Sequence, residues 1–111
     1  MERGEIWYAV WPADPGKKER PVLIVSNAYR NRAKNLLDVV VVKLTGLHRT
    51  DNNVKPVNAN EDVVIKLKKD TIIRCGSLYT IEKAMLKSNK GRLSNTVMKD
   101  VDEKLRNVLS L

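Results

Sequence analysis

The chain of 111 residues has one cysteine and one histidine. A lone Cys75 excludes an internal disulfide framework, and with His48 as the only imidazole no ordinary Cys/His zinc site can be assembled. The same shortage removes a two-histidine acid/base pair and any catalytic pairing that needs a second thiol or imidazole. Long apolar runs are also missing. The valine run Val39 to Val42, like every other apolar run of the chain, is far too short to span a bilayer. Glu2 and Glu5 interrupt the opening MERGEIWYAV, so no signal-peptide layout is expected there. Carboxylates are outnumbered: 13 Asp and Glu stand against 21 Lys and Arg, a formal charge of +8. Hydrophobic residues, at 42%, suffice for a small core, and a chain of this size buries about two-thirds of its unfolded surface. The expectation is a single domain over residues 1–111, cytoplasmic, without a membrane span, metal or other cofactor, whose partner is a polyanion.

The charge is unevenly spread. From Ser94 to Leu111, Lys99, Lys104 and Arg106 are balanced by Asp100, Asp102 and Glu103, so the whole excess lies earlier. Gly16 to Asn35 holds Lys17, Lys18, Arg20, Arg30, Arg32 and Lys34 against Glu19 alone. A second basic run follows at Lys66, Lys68 and Lys69. A single lysine usually belongs to solvated surface, but polyphosphate binding depends on summed charge, and the early cluster lies in turn-forming sequence where side chains can reach a ligand.

Ile6 to Val10 is aromatic and β-branched and reads as a strand. Trp11 to Arg20, with two prolines and a glycine, reads as a loop. Pro21 to Ser26 and Leu37 to Leu44 read as strands, separated by a loop or helical turn over Asn27 to Asn35. Gly46 to Asn53 reads as a polar loop, and Asp62 to Leu67 and Asp70 to Cys75 as two further strands. Ile81 to Lys87 fits another short strand or a helical turn. At the C-terminus, Val97, Val101, Leu105, Val108 and Leu109 recur on one helical face, and Ser94 or Asn95 can cap its start. Short strands, hairpin-length loops and one terminal helix suggest a small, mainly β, strongly curved antiparallel barrel. The surface left over makes a homodimer plausible.

Four segments carry a resemblance: MERGEIW at the start, RPVLIVSN at Arg20 to Asn27, VVVVKLTG at Val39 to Gly46, and IIRCGSLYTIEKA at Ile72 to Ala84. With the closing MKDVDEKLRNVLSL, they resemble in order and spacing the MazF/PemK (Kid) family of toxins from bacterial toxin–antitoxin pairs. The resemblance implies an SH3-like, CcdB/MazF-type barrel with a C-terminal helix, usually dimeric. It further implies a sequence-specific, metal-independent endoribonuclease that cuts single-stranded RNA and is neutralised by a cognate antitoxin, with DNA contacted only through the antitoxin complex. The family's catalytic Arg and Thr positions match Arg20 and Thr45. The Arg of the R-C-D motif used in the PemK/Kid branch matches Arg74, but Gly76 replaces the Asp, and the first loop, Trp11 to Glu19, lacks that branch's His.

Such cleavage needs a base for the ribose 2′-OH, an acid for the leaving 5′-oxygen, and positive charge near the non-bridging oxygens. It would leave a 2′,3′-cyclic phosphate and a 5′-hydroxyl. Arg20 can grip a phosphate bidentately, and its electrostatic role is surer than proton donation, given its high pKa. Thr45 can hydrogen-bond the phosphate or the 2′-OH, while Gly46 lets the backbone come close. Lys17, Lys18, Arg49 and Arg74 are candidate phosphate contacts. Arg74 sits either at the sheet rim, paired with a carboxylate such as Asp70, or aimed into a groove. Trp11, Tyr29 and Tyr79 are candidate base-stacking platforms. Cys75 reads as a small buried hydrophobe, and His48 as a solvated loop residue or an RNA contact. Trp7 and Tyr8, adjacent on a strand, face opposite ways, with one in the core. Two rival readings remain: a CcdB-like toxin that binds DNA gyrase, and a catalytically inactive RNA-binding homologue.

Overall fold

The computed structural model describes residues 1–11, 15–16 and 18–111. Lys17 and part of the first loop lie outside them. The strands are β1 (Glu5–Val10), β2 (Glu19–Ile24), β3 (Asp38–Gly46), β4 (Asp62–Lys66), β5 (Asp70–Glu82) and β6 (Leu86–Arg92). A short helix, α1 (Ala28–Arg32), joins β2 to β3, and α2 (Asn95–Leu109) closes the chain. The strands form one six-stranded sheet in the order β4-β5-β3-β2-β1-β6, with every neighbouring pair antiparallel. This is the expected mainly β fold with a C-terminal helix. Its edges, β4 and β6, are not paired with one another, so the sheet is not closed.

The valine run explains why β3 is central. Val39, Val41 and Val42 are fully buried, and alternate residues serve opposite faces. On one face Ile6, Leu23, Val42, Leu44, Val63, Ile73 and Cys75 pack with Met98 and Val101 of α2. On the other, Ala9, Val22, Ile24, Val39, Val41, Ile81 and Leu86 cluster with the partly buried Trp7 and Trp11. Trp7 therefore faces the core, and Tyr8 points outward under the ammonium of Lys90, 5.3 Å from its ring centre.

The Ser94 hydroxyl caps α2 by accepting from the Val97 N–H at 3.2 Å. Arg3 ties the helix back to the start of the chain through Asp102 at 2.6 Å. Gly4 has a positive φ of 92°, and a Cβ there would stand 3.5 Å from Met98 Cγ, so glycine suits both the turn and the helix seat. Leu109, assigned by periodicity to the buried face, is instead 52% exposed. It occupies the last helical turn.

Three further features depart from the sequence reading. Glu19 and Arg20 belong to β2 rather than to the loop before it. LKSNKGR forms the edge strand β6, paired only with β1. β5 runs thirteen residues, through Cys75 to Glu82. Its register with β3 jumps between Lys43↔Arg74 and Val42↔Leu78, so Cys75, Gly76 and Ser77 form a bulge. Among the described residues no helix is long and apolar enough to cross a membrane.

Candidate nucleic-acid interface

Pairing registers place the functional side chains in two rows on the sheet face away from α2. Trp7, Val22, Lys43, Arg74 and Asp62 are successive cross-strand partners. In the adjacent row Ala9 pairs with Arg20, and Thr45 pairs with Ile72, which pairs with Val64. The β2–β3 ladder pairs Ile24↔Val41, Leu23↔Val42 and Val22↔Lys43. Continued by two residues, the same register brings Arg20 level with Thr45. Directly opposed residues share a face, so the two side chains that the resemblance singled out belong to one side of the sheet. Arg20 is exposed and Thr45 half-buried.

After β3 the chain turns back on itself. The Asn52 N–H donates to the Arg49 carbonyl, Asn52 takes a left-handed φ of 66°, and His48 bridges Val54. This is the three-residue hairpin geometry with an Asn in its left-handed position. It returns Lys55 beside Leu47, with the Lys55 N–H on the Leu47 carbonyl at 2.8 Å. From there the Lys55 ammonium donates to the Thr45 hydroxyl at 2.7 Å. Arg74 holds the next residue: its Nη1 donates to the Pro56 carbonyl at 2.8 Å and to Asp62 Oδ2 at 2.7 Å. The carboxylate of Asp62 is only 5% exposed and also accepts from the Asn58 N–H.

Arg74 is thus paired with a carboxylate, but the partner is Asp62, directly across the β4–β5 ladder, and not Asp70. Asp70 lies near His48, 3.2 Å away, and near Lys66. The space beside Gly76 is taken by Glu61, whose Oε1 lies 2.5 Å from where a Cβ would stand. A different acidic side chain therefore approaches the position where the R-C-D motif has Asp.

The surroundings of Thr45 are strongly cationic. Burial, then repulsion from Arg74, Lys43, Lys69 and Arg49, holds the Lys55 ammonium below the usual lysine range. A Cβ at Gly46 would come within 3.4 Å of the Lys69 ammonium. Among the described residues, no carboxylate lies within ion-pair distance of Lys43, Arg49, Lys55 or Lys69. Such a group of cations suits a polyanion, and a Lys-rich site of this kind has no ligand set for a metal; among the described residues no group of three His, Cys, Asp or Glu is placed to hold one.

Other candidates are dispersed. Lys18 is exposed just before β2, and Arg49 is exposed in the hairpin turn. Trp11 and Tyr79 touch edge to face, ring centres 4.5 Å apart, and Tyr79, opposite Val41, is on the same face as Thr45. Tyr29 is 73% exposed, but it lies on α1, at the opposite end of β3. Cys75 is buried, and burial pushes its thiol up to about 11, as suits a small core residue. Lys43 carries a sequence signal, since it precedes Thr45 by two residues, a strand spacing that shares a face. Lys55 carries no such signal, because only the hairpin brings it back to Thr45.

The family model of PemK-like, MazF-like toxins of type II toxin–antitoxin systems matches residues 2–109. The chain belongs to this family. Among solved structures it is similar to an endoribonuclease in complex with its cognate antitoxin from a mycobacterial species, at 25% identity and a TM-score of 0.78, covering 100% of this chain and 96% of that one. An endoribonuclease from a mycobacterial species shares the fold at 24% identity and a TM-score of 0.76, covering 100% and 92%. So does the Mycobacterium tuberculosis toxin MazF-mt6, at 22% and 0.71, covering 96% and 97%. No curated protein matches. Arg20, Thr45 and Arg74 of this toxin-family chain are therefore brought to one face of a family fold, whereas Tyr29 is not.

Proposed function

We propose that this toxin-family chain is an endoribonuclease that cuts single-stranded RNA at preferred sequences without a metal, residues 1–111 acting as one domain. One observation carries the reading: Arg20 and Thr45 share one sheet face, level when the β2–β3 register is continued by two residues, and nearby Lys43, Lys55 and Lys69 have no carboxylate in ion-pair reach among the described residues. In this reading the ribose 2′-OH attacks the adjacent phosphorus and the 5′-oxygen leaves, giving a 2′,3′-cyclic phosphate and a 5′-hydroxyl. Arg20 grips the non-bridging oxygens through its planar fork, and Thr45 hydrogen-bonds the same phosphate. Gly46, Arg49, Lys17 and Lys18 extend the backbone contact, Arg74 supports it, and Tyr79 with Trp11 offers a stacking surface for a base.

The similar mycobacterial endoribonuclease is bound to its cognate antitoxin, which supports an antitoxin partner here. An acidic antitoxin segment would compete with RNA for the same cations. The active form is proposed to be a cytoplasmic homodimer that meets DNA only through the antitoxin complex. Membership in this family disfavours the gyrase-binding alternative.

The test is cleavage of a long mixed-sequence RNA in EDTA, with the cut sites mapped by primer extension. Wild-type protein is expected to give discrete cuts with cyclic phosphate and 5′-hydroxyl ends. Unchanged cutting by Arg20→Ala, or loss of wild-type cutting in EDTA, contradicts the assignment. Double-strand breaks in DNA with intact RNA would favour the gyrase reading.

A further inference from the structure

We infer that Lys55 is a positioning residue for the cleavage reaction, fixing the Thr45 hydroxyl so that its proton is directed at the substrate phosphate. The inference rests on the endoribonuclease reading of this site. An ammonium has donors only, so in the 2.7 Å contact the Thr45 oxygen must accept. One lone pair of Thr45 is then occupied, and its O–H is left to donate elsewhere, on the face that Arg20 shares. Without Lys55 the hydroxyl rotates freely and can present a lone pair to an anionic oxygen, which repels it.

The lysine is itself held in place. Its N–H is fixed on Leu47, and the carbonyl of Pro56 is fixed by Arg74, which is anchored on the buried Asp62. The groups facing it are Lys43 of β3, Arg49 of the hairpin turn, Lys69 of the β4–β5 turn and Arg74 of β5. Of these, Arg74 is neutralised by Asp62, and the nearby Asp70 is engaged by His48 and Lys66. Packing an ammonium among these cations opposes its charge, and an arriving phosphate relieves that opposition. The lowered Lys55 pKa agrees with this geometry and gives it a signature. Deprotonation reverses the donor role, so cleavage at subsaturating protein, which reports the free form, should fall at alkaline pH earlier than an ordinary lysine would dictate.

The experiment measures single-turnover cleavage and RNA affinity of the full chain against pH, in EDTA, on a short single-stranded RNA that contains a mapped cut site. The proteins are wild type, Lys55→Met, Lys55→Arg, Thr45→Val and the Thr45→Val/Lys55→Met double variant. Lys55→Met is expected to slow bound-state cleavage about 100-fold, well beyond the modest loss of affinity that removing one cation of the group brings. Lys55→Arg should keep most of the rate and move the alkaline limb to higher pH. In the Thr45→Val background, loss of Lys55 should cost only a few-fold, because the two act as one unit. A wild-type rate in Lys55→Met, an unmoved alkaline limb in Lys55→Arg, or multiplicative losses in the double variant would overturn the inference. Wild-type protein that cuts no RNA overturns the endoribonuclease reading first, and this inference with it. If Lys55→Met fails to fold, Lys55→Arg alone still decides through its pH profile.

Discussion

The two ends of β3 use basic residues in opposite ways. At the Asp38 end, Arg30 pairs with Asp38 at 2.7 Å and Arg32 with Glu2 at 2.9 Å. Lys83 donates to the carbonyls of Arg30 and Ala33, both at 2.8 Å, and so satisfies the C-terminal end of α1. At the Thr45 end, Lys43, Lys55, Lys69 and Arg49 crowd one another with no carboxylate in ion-pair reach among the described residues. Asp38 and Thr45 are seven residues apart, roughly 23 Å along an extended strand. The same residue types thus brace the fold at one end and stay open to an anion at the other. Net charge alone could not separate the two. The basic run from Gly16 to Asn35 divides between them: Arg20 lies toward the Thr45 end, and Arg30 and Arg32 are paired at the Asp38 end.

The largest contrast is in catalysis. Thr45→Val and Arg20→Ala should each slow single-turnover cleavage about 10²- to 10³-fold, whereas Arg30→Ala should leave it unchanged. Equal losses at both ends would erase the distinction. Next comes Arg74, which stands at the open end but is braced. Arg74→Met strands the buried carboxylate of Asp62 and should cost about 3 kcal/mol in chemical denaturation. Restoration of stability by adding Asp62→Asn would show that the stranded charge is the cause.

A smaller difference is in salt dependence. Removing Lys43 or Lys69 should each lower the slope of log affinity for single-stranded RNA against log salt by about 0.7. Arg32→Ala should not move it. At the braced end, Arg30→Ala should cost under about 1 kcal/mol of stability, since the pair is partly solvated. The smallest effect is on the stability of Lys55→Met. Because the folded pKa of Lys55 lies below its unfolded value, the unfolded chain binds more protons in between, and wild-type stability rises with pH through that window. Lys55→Met should therefore melt slightly higher than wild type at neutral pH, and thermal melts should show the gap closing as pH rises toward the ordinary lysine range.

What the sequence made legible follows from where its signals are local. β-branched runs disclosed β1 to β4 and the first half of β5, and the spacing of Val97, Val101 and Leu105 disclosed α2. β6 escaped because LKSNKGR has no apolar alternation: six of its seven residues lack a buried side chain, and backbone pairing with β1 recruits it. Its charges suit an edge. Arg20 and Thr45 were visible through motifs, and the β2–β3 register gives those motifs a shared face. Lys55 and Asp62 were not visible, because each acts through a partner that only a turn or a cross-strand pairing supplies.

The bulge in β5 has a consequence for which substitutions the sheet can absorb. Cys75, Gly76 and Ser77 stand outside the ladder with β3, so the register on either side does not depend on what occupies position 76. Glu61, the flexible side chain next to it, can move or be exchanged without disturbing a strand. An acidic side chain introduced at position 76 would have to displace Glu61, and it would do so at a point where the β3 ladder is already interrupted.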